Sequence, residues 1–195
     1  MAISATTVKQ LREATGIGLM KCKEALEIAN GDLDKAIEHL RKQGLKTAEK
    51  RAGRDTSEGV IASYIHSNGK IGVLLELKCE TDFVARNDDF RQLGRDLCMQ
   101  VAATRPVAVS KDQVAADLVE KELEIYREQV KDKPAQAIEM IVKGKLEAFF
   151  KERCLLEQPF VKDSKTTVAD HIKVLVAKLG ENITVGRVVR LQMGE

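Results

Sequence analysis

Apolar residues return every three or four positions in three short stretches at the start of the chain, which predicts three helices. Val8 and Leu11 mark the first, and Ser4 or Thr6 can cap it. Thr15-Gly16-Ile17-Gly18 breaks the pattern before Leu19, Met20, Cys22, Ala25, Leu26 and Ala29 carry the second helix. Asn30-Gly31 closes that helix and Asp32 caps the next. Leu33, Ala36, Ile37 and Leu40 take the third to a predicted stop near Gly44. Residues 44–58, GLKTAEKRAGRDTSE, turn polar and basic and read as a linker.

The period then changes from helical to alternating. Two β-rich runs flank Asn68-Gly69, the pair preferred in type I′ turns, and predict a hairpin over 59–79. A two-residue loop pairs His66 with Ile71, Tyr64 with Val73, Ala62 with Leu75 and Val60 with Leu77. These residues form one apolar face, opposite a face with Ser63, Glu76 and Lys78. Next, Asn87 can cap a helix whose first turn holds Asp88 and Asp89, where the helix dipole favours negative charge. Its stripe of Phe90, Leu93, Leu97, Cys98 and Val101 is the expected cover for the hairpin. Pro106 ends that helix, and Val107 and Val109 suggest a short edge strand.

Two further helices follow. Ala116, Val119, Leu123, Tyr126 and Val130 keep a coiled-coil rhythm, Lys131-Asp132-Lys133-Pro134 turns the chain, and Ala135, Ile138, Val142, Leu146 and Phe149 return. Gln158-Pro159-Phe160-Val161 reads as a strand entry. Thr166 or Thr167 caps a helix with Val168, Ile172, Leu175, Val176 and Leu179, ended by Gly180. Ile183, Val185, Val189, Leu191 and Met193 share one parity of a last strand, interrupted by Arg187. The expected fold class is α+β, an antiparallel-sheet core with helices on one side. The expected domains are a three-helix module at 1–43, resembling the ubiquitin-associated type, a basic linker at 44–58, a core from 59–110 and 154–195, and a helical-hairpin, coiled-coil-like arm at 111–153.

Composition narrows the function classes. The 195 residues are 44% hydrophobic and 32% charged, with a net charge of +2, so no basic stripe points to nucleic acid. Lys46, Lys50, Arg51 and Arg54 cluster in the linker and read as a solvated linker in preference to an RNA contact. Cys22, Cys79, Cys98 and Cys154 form no CxxC pair, and His39, His66 and His171 are scattered, so no metal is expected. The start has no signal-peptide pattern and no apolar run nears ~18 residues, which points to a cytoplasmic protein with free thiols and no membrane span. GxxxxGK[ST], GxGxxG and GxSxG do not occur, and no cofactor or catalytic residue is expected.

The most informative stretch joins the hairpin to the helix after it: Cys79-Glu80-Thr81-Asp82-Phe83-Val84-Ala85-Arg86-Asn87. Taken on its residues, Asp82 reads as a turn or helix cap and Phe83 as core. Leu19 and Met20 read as helix packing.

Several stretches together resemble the translation elongation factor Ts family. They are Leu11-Arg12-Glu13-Ala14-Thr15-Gly16, Leu19-Met20-Lys21-Cys22-Lys23-Glu24-Ala25-Leu26, Asn30-Gly31-Asp32, Thr81-Asp82-Phe83-Val84-Ala85 and Gln158-Pro159-Phe160-Val161. The resemblance implies a guanine-nucleotide exchange factor for elongation factor Tu that is not an enzyme and binds no nucleotide itself. It implies that Leu11, Leu19 and Met20 dock on the partner's nucleotide-binding domain. Thr81, Asp82, Phe83 and Val84 then reach its magnesium site, the ion is displaced, GDP leaves and GTP rebinds. Longer members carry two related core subdomains, whereas this chain has room for one. That implies a homodimer bound to two elongation factor Tu molecules. The competing reading is a non-catalytic protein- or RNA-binding adaptor using the three-helix module.

Overall fold

The computed structural model describes residues 3–195; residues 1 and 2 and the side chain of Ala135, named above in the return helix, lie outside the described residues. Three helices open the chain: α1 (Ala5–Thr15), α2 (Leu19–Ile28) and α3 (Leu33–Arg51). Ser4 Oγ accepts the Thr7 amide at 3.1 Å and Asp32 Oδ1 accepts the Lys35 amide at 3.1 Å, so both expected caps form. Val8, Leu11, Cys22, Ala25, Leu26, Ala36 and Leu40 pack into one core among them.

The third helix does not stop near Gly44 but runs on to Arg51. Gly44 is a packing glycine: a Cβ there would lie 3.0 Å from the Ala177 Cβ. The next residues, Leu-Lys-Thr-Ala-Glu-Lys-Arg, are mostly good helix formers, and Ala48 is buried.

β1 (Glu58–Ile65) and β2 (Ile71–Cys79) form the hairpin, and β5 (Ile183–Gln192) joins β2 to give an antiparallel sheet ordered β1-β2-β5. The His66 amide donates to the Ile71 carbonyl at 2.9 Å, as the expected pairing requires. The turn is not type I′. Gly69 has positive φ but Asn68 does not, and the Gly69 amide closes on the His66 carbonyl at 2.8 Å. Asn68 Oδ1 instead accepts the Lys70 amide at 2.9 Å, an Asx turn that holds Asn68 at negative φ.

α4 (Asp82–Ala85) is a single turn before α5 (Asp88–Thr104). The inner hairpin face, with Ala62, Val73, Leu75 and Leu77, is buried, as is the α5 stripe of Leu93, Leu97, Cys98 and Val101. Gly94 lets α5 approach the sheet closely. The outer sheet face leaves Ile61, Ile65, Leu74, Val189 and Leu191 exposed, so the later part of the parity picked out in β5 faces outward, whereas Ile183 at its start is buried. Across that face the Arg187 guanidinium and amide both bond to Glu76.

α6 (Ala116–Gln129) and α7 (Ala135–Arg153) make the helical hairpin, with Val130, Val142 and Phe149 buried. Val107–Val109 is not a regular strand; Ala108 makes an isolated parallel bridge to Cys154. β3 (Pro159–Phe160) pairs antiparallel with β4 (Asp163–Thr167), and α8 (Val168–Leu179) follows. Thr167 Oγ1 accepts the Asp170 amide at 3.1 Å, the expected cap. Gln100, Thr104 and Gln158 form a buried network that receives the Val161 amide at 2.8 Å and fixes the Gln158–Val161 stretch on α5.

The chain divides into two compact units. One comprises residues up to Gly59 with Lys78–Phe90 and Ile172–Thr184; the other comprises Val60–Leu77, Arg91–His171 and Val185–Glu195. All four cysteines are buried and form no disulfide. Among the described residues no helix is long and apolar enough to cross a membrane.

Gly94 generates a stability prediction. A Cβ there would stand 2.9 Å from the Cβ of Ala62, which is fixed to a strand backbone. Overpacking of that kind costs about 1–3 kcal/mol, against a gain of about 1 kcal/mol in helix propensity. Gly94→Ala is expected to lower the urea midpoint. An unchanged or higher midpoint would mean that α5 lifts from the sheet without cost.

Candidate functional site

The corner after β2 is fastened from the strand end outward. Cys79 is fully buried, and its thiol donates to the Thr81 carbonyl at 3.1 Å. Burial, and then the Glu181 carboxylate, pushes this thiol up to about 11, which keeps it protonated and a donor at neutral pH. Thr81 is extended and gives both of its donors to one carboxylate. Its amide reaches Glu181 Oε2 at 3.0 Å, and its hydroxyl reaches Oε1 at 2.6 Å. In the opposite direction, Glu80 Oε1 accepts the Asn182 amide at 2.6 Å and Oε2 accepts from Arg54 at 3.3 Å. The buried Asn182 side chain donates in turn to the Arg54 carbonyl at 2.8 Å. Gly180, at φ +82°, supplies the left-handed turn that leads from α8 into Glu181.

On this base α4 separates its side chains. Val84 and Ala85 are buried, whereas Phe83 is 79% exposed. Asp82 is half-exposed and forms an ion pair with Arg86 at 2.8 Å. Asn87 Oδ1 accepts the Asp89 amide at 2.9 Å and caps α5 as expected. Asp89 then pairs with Lys178 at 2.8 Å.

The four corner residues named from sequence are thus contiguous but divided. Thr81 and Val84 hold the turn, while Asp82 and Phe83 face solvent. Phe83 is not core, as its residue type alone suggested. In the three-helix part, Leu19 and Met20 are 48% and 80% exposed at the start of α2, whereas Leu11 is 0% exposed in the core. Leu11 offers no surface and supports α2 from beneath. Sequence reasoning missed Glu181, Asn182 and Arg54. Glu181 lies 100 residues from Thr81, and its only local signal is a helix-ending Gly180 before it.

A solvent-facing ring and carboxylate thus stand on a one-turn helix pinned from a distant loop. The family model described as Elongation factor TS matches residues 5–195. The chain is 60% identical over 197 residues to Elongation factor Ts of Fervidobacterium nodosum, covering 100% of each. It is 55% identical over 195 residues to that of Thermotoga sp. strain RQ2 and 56% over 196 residues to that of Thermodesulfovibrio yellowstonii. In both cases 100% of this chain and 98% of the relative are covered. The chain belongs to the elongation factor Ts family, and with it to the elongation factors of protein biosynthesis.

The Glu80 carboxyl is held below the ordinary value of 4.5, first by the Asn182 amide and also by Arg54. A lowered folded value means that the charged form stabilises the corner. That stabilisation is complete above the unfolded value and is lost as pH falls through the lower, folded one. The Asn182 amide resonance should therefore titrate with an inflection below 4.5, and the inflection should vanish in Glu80→Gln. An inflection at or above the ordinary value would contradict the bonding described.

Proposed function

We propose that the chain is the guanine-nucleotide exchange factor for elongation factor Tu. It binds the GDP form, displaces magnesium and promotes GDP release, so that GTP binds during translation elongation. The observation that carries this reading is Phe83, a large ring left 79% exposed beside Asp82 on a corner whose other residues are fastened. Leu19 and Met20 give an exposed apolar start to α2 suited to docking on the partner's nucleotide-binding domain, with the first 43 residues as the docking module. Family membership supports elongation factor Tu as the partner.

The mechanism follows from charge and linkage. Magnesium is the largest local positive charge on a bound diphosphate, and a nucleotide that loses it loses its main neutralising contact. Phe83 inserts near the ion's site and gains about 2 kcal/mol if fully covered. Asp82 brings a carboxylate that competes with the groups holding the ion. Binding that prefers the empty partner weakens nucleotide binding by an equal factor. A coupling of about 4 kcal/mol corresponds to roughly a thousandfold. In this reading the chain acts in the cytoplasm, breaks no covalent bond and binds no nucleotide or metal of its own.

The reading includes a homodimer carrying two elongation factor Tu molecules. The outer sheet face supports it: Ile61, Ile65, Leu74, Val189 and Leu191 are exposed together, and clustered apolar surface marks an interaction site. A second copy matches it because one patch can serve both sides of a two-fold interface.

Two outcomes are expected. Phe83→Ala slows release of fluorescent GDP from elongation factor Tu tenfold or more, a loss of about 1.4 kcal/mol in the barrier. Its stability should stay within about 0.5 kcal/mol of the parent, as for other surface changes. Binding of the parent chain without accelerated release would favour the adaptor reading instead. Leu191→Asp shifts the sedimentation coefficient from dimer to monomer; an unchanged coefficient would remove this face from the interface.

A further inference from the structure

Glu181 belongs to none of the motifs that mark the tip, yet its side chain holds the start of α4 from a distant loop. A four-residue helical turn cannot sustain itself, because helix nucleation is unfavourable and its first amides lack partners. Here Thr81 turns both its amide and its hydroxyl away from α4 and gives them to the two Glu181 oxygens, at 3.0 and 2.6 Å. Bonds to an ionised acceptor are roughly twice as strong as neutral ones. Buried Val84 and Ala85 fasten the far side of the turn, and Cys79 fastens the Thr81 carbonyl. Releasing Glu181 would leave Thr81 held through its carbonyl while its amide and hydroxyl lose their acceptor, directly before Asp82 and Phe83. Glu80 differs in kind. It grips the Asn182 backbone and ties the two loops together, whereas Glu181 grips the tip itself.

We infer that Glu181 is a positioning residue: by holding the Thr81 amide and hydroxyl in one carboxylate, it sets where Asp82 and Phe83 point and so how fast a bound partner gives up its nucleotide. The second half of this statement rests on the exchange reading above. The first half does not, and the two are separable by experiment.

Glu181→Gln keeps the volume but turns an amide NH2 toward one of the two Thr81 donors. In stopped flow with elongation factor Tu carrying fluorescent GDP, the maximal release rate at saturating chain is expected to fall about tenfold. The half-saturating concentration should stay within about twofold, since docking through Leu19 and Met20 is untouched, and the melting temperature should barely move. In a Thr81→Val background, where the hydroxyl is already gone, the same substitution should slow release far less, as expected for residues acting through one contact. Chymotrypsin reads the tip without any partner. Cleavage after Phe83 should rise several-fold in Glu181→Gln, because a loosened turn enters a protease site more readily.

A variant with parental release rate and parental cleavage would overturn the inference. So would parallel losses of melting temperature and activity, which mark a merely structural role. If the unmodified chain fails to accelerate release while Glu181→Gln still exposes Phe83 to cleavage, the exchange reading falls and the positioning of the tip stands.

Discussion

Two carboxylates, each reaching into the other's loop, hold the end of β2 and the end of α8 together. Glu80 takes the backbone amide of Asn182, and Glu181 takes that of Thr81. The arrangement is reciprocal, so displacing either loop strains bonds at both acids. It also solves a local problem: the loop amides of Thr81 and Asn182 need acceptors, and here each loop supplies the other's. Closing a loop of 100 residues carries an entropic cost that rises only slowly with length. Four side-chain bonds at one point, with Asn182 gripping the Arg54 carbonyl below them, outweigh it locally. With the base fixed, Phe83 can remain in water without the turn collapsing to bury it.

Much of this was legible from residue order. The caps at Ser4, Asp32, Asn87 and Thr167 form as their residue types suggest. The inner face of the hairpin and the α5 stripe are buried as their periods require. Two of the misreadings share a cause: a local signal yielded to a contact distant in sequence. Gly44 looked like a helix stop, but it is small because Ala177 passes close by. Phe83 looked like core because most phenylalanines are, and nothing nearby in sequence reveals that Glu181 arrives to hold its turn open. Leu11 sits in a motif shared with the family, yet it serves the fold rather than a surface. Asn68-Gly69 lost its expected turn to the side chain of Asn68 itself, which bonds two residues ahead.

The outer sheet face shows why composition misled less than parity. A strand with Val189, Leu191 and Met193 in alternation normally signals a buried face. Here the inward positions of β5 include Arg190, whose guanidinium reaches the Ala102 carbonyl at 3.5 Å, and Val189, Leu191 and Met193 are turned outward. Alternation fixes which residues share a face, but not which face is covered within one chain. The Glu76–Arg187 pair stands among these apolar neighbours, where any covering partner would meet a neutralised couple rather than a lone charge.

The isolation of Phe83 has a kinetic meaning. A single ring covered on contact contributes about 2 kcal/mol, a factor near thirty in residence time. That is enough to bias a neighbouring equilibrium and too little to keep two proteins stuck together. In the proposed role, a wedge so weakly adhesive can be expelled once a fresh nucleotide arrives. The lone exposed aromatic would then make turnover possible, where a broader greasy tip would end each encounter as a dead complex.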